Sequence, residues 1–317
     1  MYLLKKLALG LLVSVSCIAT AHAQDFMSSK DLFGSGKLLA TGGVTELEGA
    51  GGGGITPWAL ITGYGTDRQI GASAFGTYAG TSELAVTDGG VAVGLFNRVE
   101  LSFAHLNLNT GSALSQPVLN AVNHGSNNIS ENIEGLKVRL FGDAVYDKYV
   151  PEVSGGVLFQ QSDNKTLVTA IGAKTDGETY YLAATKVLFN VLFGRDVLLD
   201  ADIIGTNANQ LGLLGFGSGN GSANPNNSLH AEFAGSAAVL ITRSLVLGGD
   251  FRTMPMNMKS VGKASNWGDV FLAYFPMKGV SIVGAYAMLG SVAPAVDAIP
   301  GRTRNENAFY VSAQLSF

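Results

Sequence analysis

The chain has 317 residues, of which 47% are hydrophobic and only 14% charged, against about 25% charged in an ordinary soluble domain. A formal net charge of −4 argues against nucleic acid as a partner. Glycine is abundant (42) and proline scarce (8), a balance that fits many strands and tight turns better than membrane helices of about 18 or more apolar residues.

In chain order, residues 1–23 read as a secretory signal: Lys5 and Lys6, an apolar core from Leu7 to Val15, then Ala21-His22-Ala23 as a small-x-small cleavage site. Cleavage there takes the net charge from −4 to −6 (two lysines fewer). It also removes Cys17, the one cysteine, and with it any disulfide or thiolate metal site. A lipoprotein cut before Cys17 is disfavoured, because Ser14 stands where an aliphatic residue is needed. Residues 24–36 are polar and read as a periplasmic lead-in or small plug, and residues 37–317 as the main body.

That body consists of alternating segments. We place strands at 38–47, 56–65, 68–78, 85–95, 98–108, 135–144, 152–161, 179–190, 197–206, 229–240, 245–254, 267–275, 280–290 and 307–317. Most have the roughly 9–11 residues that a tilted transmembrane strand needs. Connections alternate between short and long, as in barrels with short periplasmic turns and long extracellular loops. The expected fold is all-β: a closed antiparallel transmembrane β-barrel of about 14 strands, within a range of 12 to 16. Residues 167–174 could add a strand or an outer-loop hairpin.

The last segment has the clearest pattern. Phe309, Val311, Ala313, Leu315 and Phe317 alternate with polar residues and Tyr310, so they share one face. This is the expected closing strand, with its apolar face toward lipid, and the expected signal for the barrel-assembly machinery. A charge facing lipid costs about 2–4 kcal/mol at the midplane. The charged set is therefore expected to face the lumen: Glu100, Lys137, Arg139, Asp143, Lys186, Asp200, Asp202, Glu232, Asp250, Arg252 and Asp269. They would either brace the wall or form a selectivity surface for a polar solute. Trp58, Tyr64, Tyr78, Phe96, Phe189, Phe193, Trp267, Phe275 and Phe317 fall near proposed strand ends, where interfacial aromatics belong.

Other motifs are weaker. Gly51–Gly54 lacks the lysine and Ser/Thr of a phosphate loop, so a tight loop or inward-folded hairpin is favoured. Glu46 and Glu48 share a face but are too few to hold a cation. Met254, Met256 and Met258 have no cysteine or histidine beside them for a soft metal, and exposed strand-end residues are expected. Gly215–Gly221 lacks a βαβ frame and reads as a flexible outer loop. No metal, cofactor or catalytic residue is assigned. His105, His124 and His230 come without a hydrolase signature.

The runs TGGVTELEGAGGGG (41–54), PWALITGYG (57–65), NQLGLLGFG (209–217) and DVFLAYFP (269–276) stand with Lys137-Val138-Arg139-Leu140 and Gly142-Asp143-Ala144. Together they make the chain similar to an uncharacterised proteobacterial outer-membrane β-barrel family, a domain of unknown function. The resemblance implies an envelope barrel in a Gram-negative cell, and no activity, ligand or catalytic residue. The expectation is an outer-membrane protein that contacts membrane lipid and an unidentified small solute, working as a passive, porin-like channel. The alternative is a structural or surface-interaction barrel with an occluded lumen. A barrel enzyme comes third, and would need a histidine bonded to a serine and a carboxylate at the outer rim.

Overall fold

The computed structural model describes residues 32–33, 36–42, 44–111, 117–219, 225–259, 261–294 and 306–317. The signal and most of the lead-in lie outside the described residues. A small antiparallel hairpin, β1 (Val44–Thr45) and β2 (Gly51–Gly52), precedes everything else. The wall follows as β3 (Ile70–Gly80), β4 (Ala85–Leu95), β5 (Val99–Asn109), β6 (Asn128–Phe141), β7 (Glu152–Ser162) and β8 (Asp176–Leu192). It continues through β9 (Arg195–Thr206), β10 (His230–Thr242), β11 (Leu245–Arg252), β12 (Trp267–Met277), β13 (Val280–Gly290) and β14 (Glu306–Ser316). Two short helices, α1 (Pro117–Val122) and α2 (Lys165–Ala170), sit in loops. Residues 167–170 are therefore helical, and Lys174 makes only an isolated antiparallel bridge, to Phe216, so 167–174 adds no strand to the wall. Among the described residues no helix is long and apolar enough to cross a membrane.

Each wall strand pairs antiparallel with its neighbour, and β14 pairs with β3 to close a twelve-stranded barrel. The expected fourteen is thus two too many. The two surplus segments, 38–47 and 56–65, are not in the wall. From 44 to 65 every residue except Val44, Leu47 and Gly54 is buried. A wall strand must present alternate residues to the outside, and this segment has no outside face. It lies within the barrel.

The wall alternates as a two-sided strand should. On β14, Phe309, Val311 and Leu315 are exposed while Ala308, Tyr310, Ser312 and Gln314 are buried. Tyr286 of β13 and Phe309 stack edge to face on the outer surface, 5.3 Å between centroids. At one end the strands join through 96–98, 142–151, 193–194, 243–244 and 278–279. At the other the connections are 81–84 and the longer 110–127, 163–175, 207–229, 253–266 and 291–305. Strand count explains why there is room in the middle. Eight strands leave an interior that wall side chains alone can fill, and sixteen leave an aqueous channel. Twelve fall between, and here residues 44–65 occupy the surplus.

Candidate functional site: the filled lumen

The glycine run has a structural use. The hairpin brings Gly51 and Gly54 against the wall, where their N–H groups donate to Glu100 Oε1 (2.9 Å) and Asp250 Oδ2 (2.7 Å). At Gly53 a Cβ would stand 2.6 Å from both Asp250 Oδ2 and Thr56 Oγ1, so only glycine lets the backbone come this close. Further along, the N–H of Thr62 donates to Glu100 Oε2 (2.7 Å) and that of Ala59 to Thr185 Oγ1 (2.7 Å). Ser154 Oγ donates to the Ala59 carbonyl (2.6 Å), and Trp58 Nε1 to Ser236 Oγ (2.8 Å). The interior segment has almost no secondary structure of its own. Its backbone groups find partners on wall side chains, as buried backbone must.

Two charged clamps hold it. Glu100 on β5 and Lys137 on β6 are register partners, each about 1% exposed and 3.1 Å apart. The carboxylate takes N–H groups of Gly51 and Thr62, while the ammonium donates to the carbonyls of Gly51 (2.8 Å) and Leu60 (3.0 Å). The pair thus reads both polarities of one stretch of backbone. In the second clamp Arg252 of β11 donates to Glu48 of the interior segment (2.5 Å) and to Glu232 of β10 (2.8 Å). Glu48 also lies 3.4 Å from Gln160 Nε2.

The remaining charged residues fall into groups. Asp200, Asp202 and Asp269 are buried on the inner face, with Asp200 accepting the Thr185 hydroxyl. Arg139 points inward near the short-turn end and bridges Asp143 (2.9 Å) and Glu152 (3.7 Å). Asp143 itself is on the 142–151 turn, beyond the end of β6, not in the wall. Burial pushes its carboxyl up, but the N–H groups of Tyr146 and Val145 and the charge of Arg139 outweigh that and hold it below the ordinary value.

Lys186 corrects the expectation. On β8 the odd residues Tyr181, Ala183, Thr185 and Val187 are buried, which puts Lys186 on the outer face beside Leu182 and Ala184. Its ammonium folds back to the carbonyls of Asp143, Asp147 and Val150. A long stem lets a lysine on an apolar face bring its charge to polar atoms at the rim.

Glu46 is the carboxylate of the interior segment with no hydrogen-bond partner among the described residues. Burial, and then the charge of neighbouring Glu48, push it well above the ordinary 4.5, against the pull of Arg252 and Lys137. Among the described residues no group of three His, Cys, Asp or Glu side chains could hold a metal.

The long-loop end is also filled. Gly215–Ser218 is buried, with Phe216 at 0% exposure, so this part of the expected flexible loop is packed; Gly221 lies outside the described residues. Leu211 of the same loop packs with Ile55 at the tip of the interior segment, together with Met254 and Trp267. Met254 and Met258 are buried and only Met256 is exposed, so two of the three are core and not rim. Trp58, Tyr64, Trp267 and Phe275, expected in interfacial belts, are interior as well, whereas Tyr78, Phe96, Phe189, Phe193 and Phe317 are exposed.

His105 Nδ1 lies 3.0 Å from Asn132 Oδ1, and the Ser130 hydroxyl donates to Asp163 (3.1 Å). His105 Nδ1 also lies 4.0 Å from the same Asp163 carboxylate, but its hydrogen bond goes to Asn132 and not to the serine, so the histidine–serine pair that an enzyme reading needs is not formed among the described residues of this cluster. At the short-turn end a cleft between Lys37, Leu38, Leu60, Asp143 and Glu152 has a volume of about 40 Å³, room for a few waters at most.

The family described as "Protein of unknown function (DUF3034)" matches residues 41–314. No curated protein matches. Among solved structures, the chain is similar to the NanC porin, with 12% identity, TM-score 0.49, and coverage of 77% of this chain and 98% of that one. It is similar also to the KdgM porin (10%, TM-score 0.43, 77% and 99%). A third is the COG4313 outer membrane channel from Pseudomonas putida F1 (10%, TM-score 0.40, 83% and 97%).

Proposed function

The chain belongs to that family of unknown function, and from the geometry we propose that it is an outer-membrane β-barrel held shut by its own N-terminal segment. Residues 44–65 form the plug. In this reading the exposed apolar face of the wall contacts membrane lipid, residues 1–23 direct export and are removed, and the last strand is recognised by the barrel-assembly machinery. The short turns face the periplasm and the long loops the outside. The interior charges that could have formed a selectivity surface serve first to hold the plug. Passage of a small polar solute requires the plug to shift.

The observation that carries this reading is the Glu100–Lys137 clamp, because a buried ion pair whose free valences all go to the plug backbone has no comparable use in an open pore. Planar-bilayer recording tests it. Wild-type protein, with folding verified by heat-modifiable migration, should show no steady conductance steps, and Gly53→Val, which forces the hairpin off Asp250, should introduce them. Steady open-pore current from the wild type would refute the closed state.

A second reading, a structural or surface-interaction barrel that never conducts, is favoured by the packing of Phe216 and Met258 over the long-loop end. Silence from both wild type and Gly53→Val would select it.

A further inference from the structure

Eleven of the twelve wall pairings join strands adjacent in sequence, each tethered by its own connection. The exception is β14 with β3, whose ladder runs from Phe309↔Gly80 to Ser316↔Ser73. With no hairpin to hold its ends together, this seam bears the largest loop-closure cost in the barrel.

The plug grips both sides of this seam. Thr45 Oγ1 donates to Gln314 Oε1 on β14 (2.7 Å), and the Thr62 and Ser73 hydroxyls are 2.7 Å apart on the β3 side. Beyond the last ladder pair, Phe317 N–H donates to the Ala72 carbonyl (2.9 Å), and the Phe317 carbonyl accepts from Ala72 N–H (2.9 Å). That same carbonyl accepts a second hydrogen bond, from Tyr64 N–H (3.0 Å). Gly63 makes the approach feasible. It has φ +76°, and a Cβ there would stand 2.6 Å from the Ala72 nitrogen. The Tyr64 ring lies under Lys278 Nζ, 5.2 Å from its centroid, which ties the same point to the β12–β13 turn.

We infer that residues 62–64 are an internal staple across the closing seam, so that seating the plug and closing the barrel are one coupled event. The consequence for opening is mechanical. The exit of the plug is fixed to the seam by backbone contacts, while its hairpin half, 44–57, is held by the charged clamps and by the one Thr45–Gln314 side-chain bond, and is the part able to swing.

The test uses the full chain in lipid or detergent and reads the thermal unfolding midpoint. Gly63→Val should lower it by about 2 °C or more, as loss of roughly 1 kcal/mol does in a chain of this size. A disulfide across the outer face of the seam, Gly76→Cys with Ala313→Cys, joins register partners. It should restore most of the loss relative to its own reduced form. A disulfide far from the seam, Ala184→Cys with Ala201→Cys across β8 and β9, should not. Equal rescue by both, or no rescue by the seam disulfide, would overturn the inference. If Gly63→Val does not fold, Thr62→Val, which removes only the bond to Ser73, enters the same comparison under the same criteria.

Discussion

Replacing Lys137 by methionine is the most informative single change. The ammonium makes three contacts, with Glu100 (3.1 Å) and the carbonyls of Gly51 (2.8 Å) and Leu60 (3.0 Å), at about 1% exposure. Methionine keeps much of the volume and none of the charge. Breaking a buried pair by removing one partner costs about 3–5 kcal/mol, because the other charge is left uncompensated. Two charge-assisted bonds at roughly 1.5–3 kcal/mol each point to the same range. Urea unfolding in detergent micelles, with the Lys137→Met midpoint and slope compared with wild type, measures the loss.

The sharper arm is the charge swap Glu100→Lys with Lys137→Glu. It preserves the ion pair but sets an ammonium against the N–H groups of Gly51 and Thr62 and a carboxylate against two carbonyls. The swap should be at least as unstable as Lys137→Met. If it recovered wild-type stability, the pair would be bracing the wall alone, and its role in gripping the plug would be refuted.

Two further predictions concern the outer face and the plug's own acid. Val311→Arg, midway along β14 and 56% exposed, should cost about 2–4 kcal/mol in a bilayer, whereas Leu315→Arg near the strand end should cost about 0–1 kcal/mol. Equal costs measured by lipid-vesicle refolding would count against that face spanning hydrocarbon. Because the Glu46 carboxyl is raised in the folded protein, the unfolded chain gives up its proton first as pH rises. Stability from this group is complete below pH 4.5 and falls above it. The advantage of Glu46→Gln over wild type should therefore be smallest near pH 4 and grow toward pH 8. An unfolding free-energy difference that stayed flat across that range would contradict the assignment.

Much of the wall was legible because period-two alternation is a local signal. Leu136, Val138 and Leu140 against Lys137 and Arg139 fix the inside of β6 without reference to any other strand. The plug was not legible as such. Within 56–65, Pro57 to Ile61 is a short continuous apolar run, and such a run reads equally well as a strand or as a segment buried on all sides. Only its relation to the other strands separates the two. Lys186 shows the limit of charge as a guide: its charge alone points it inward, whereas the burial of the odd positions of β8 sets it on the outer face. The stretch Gly215–Gly221 reads as a flexible outer loop from its glycines. Its Phe216, and Leu211 just before it, are core residues of the mouth, and their partners, Lys174 and Gly177 for Phe216 and Ile55 for Leu211, are distant in sequence. The Gly51–Gly54 run carried a true signal of close backbone approach, but the approaching surface, Glu100 and Asp250, could be named only once the barrel was closed.

The central claim is that residues 44–65 sit inside the wall, and amide hydrogen exchange of the plug, read by NMR in lipid nanodiscs, tests it most directly. The N–H groups of Gly51, Gly54, Ala59 and Thr62 all donate to wall side chains. The account predicts that these four exchange orders of magnitude more slowly than unprotected amides. Exchange at solvent rates, with the ladder amides of β5 and β6 still protected, would place the segment outside the barrel and contradict it.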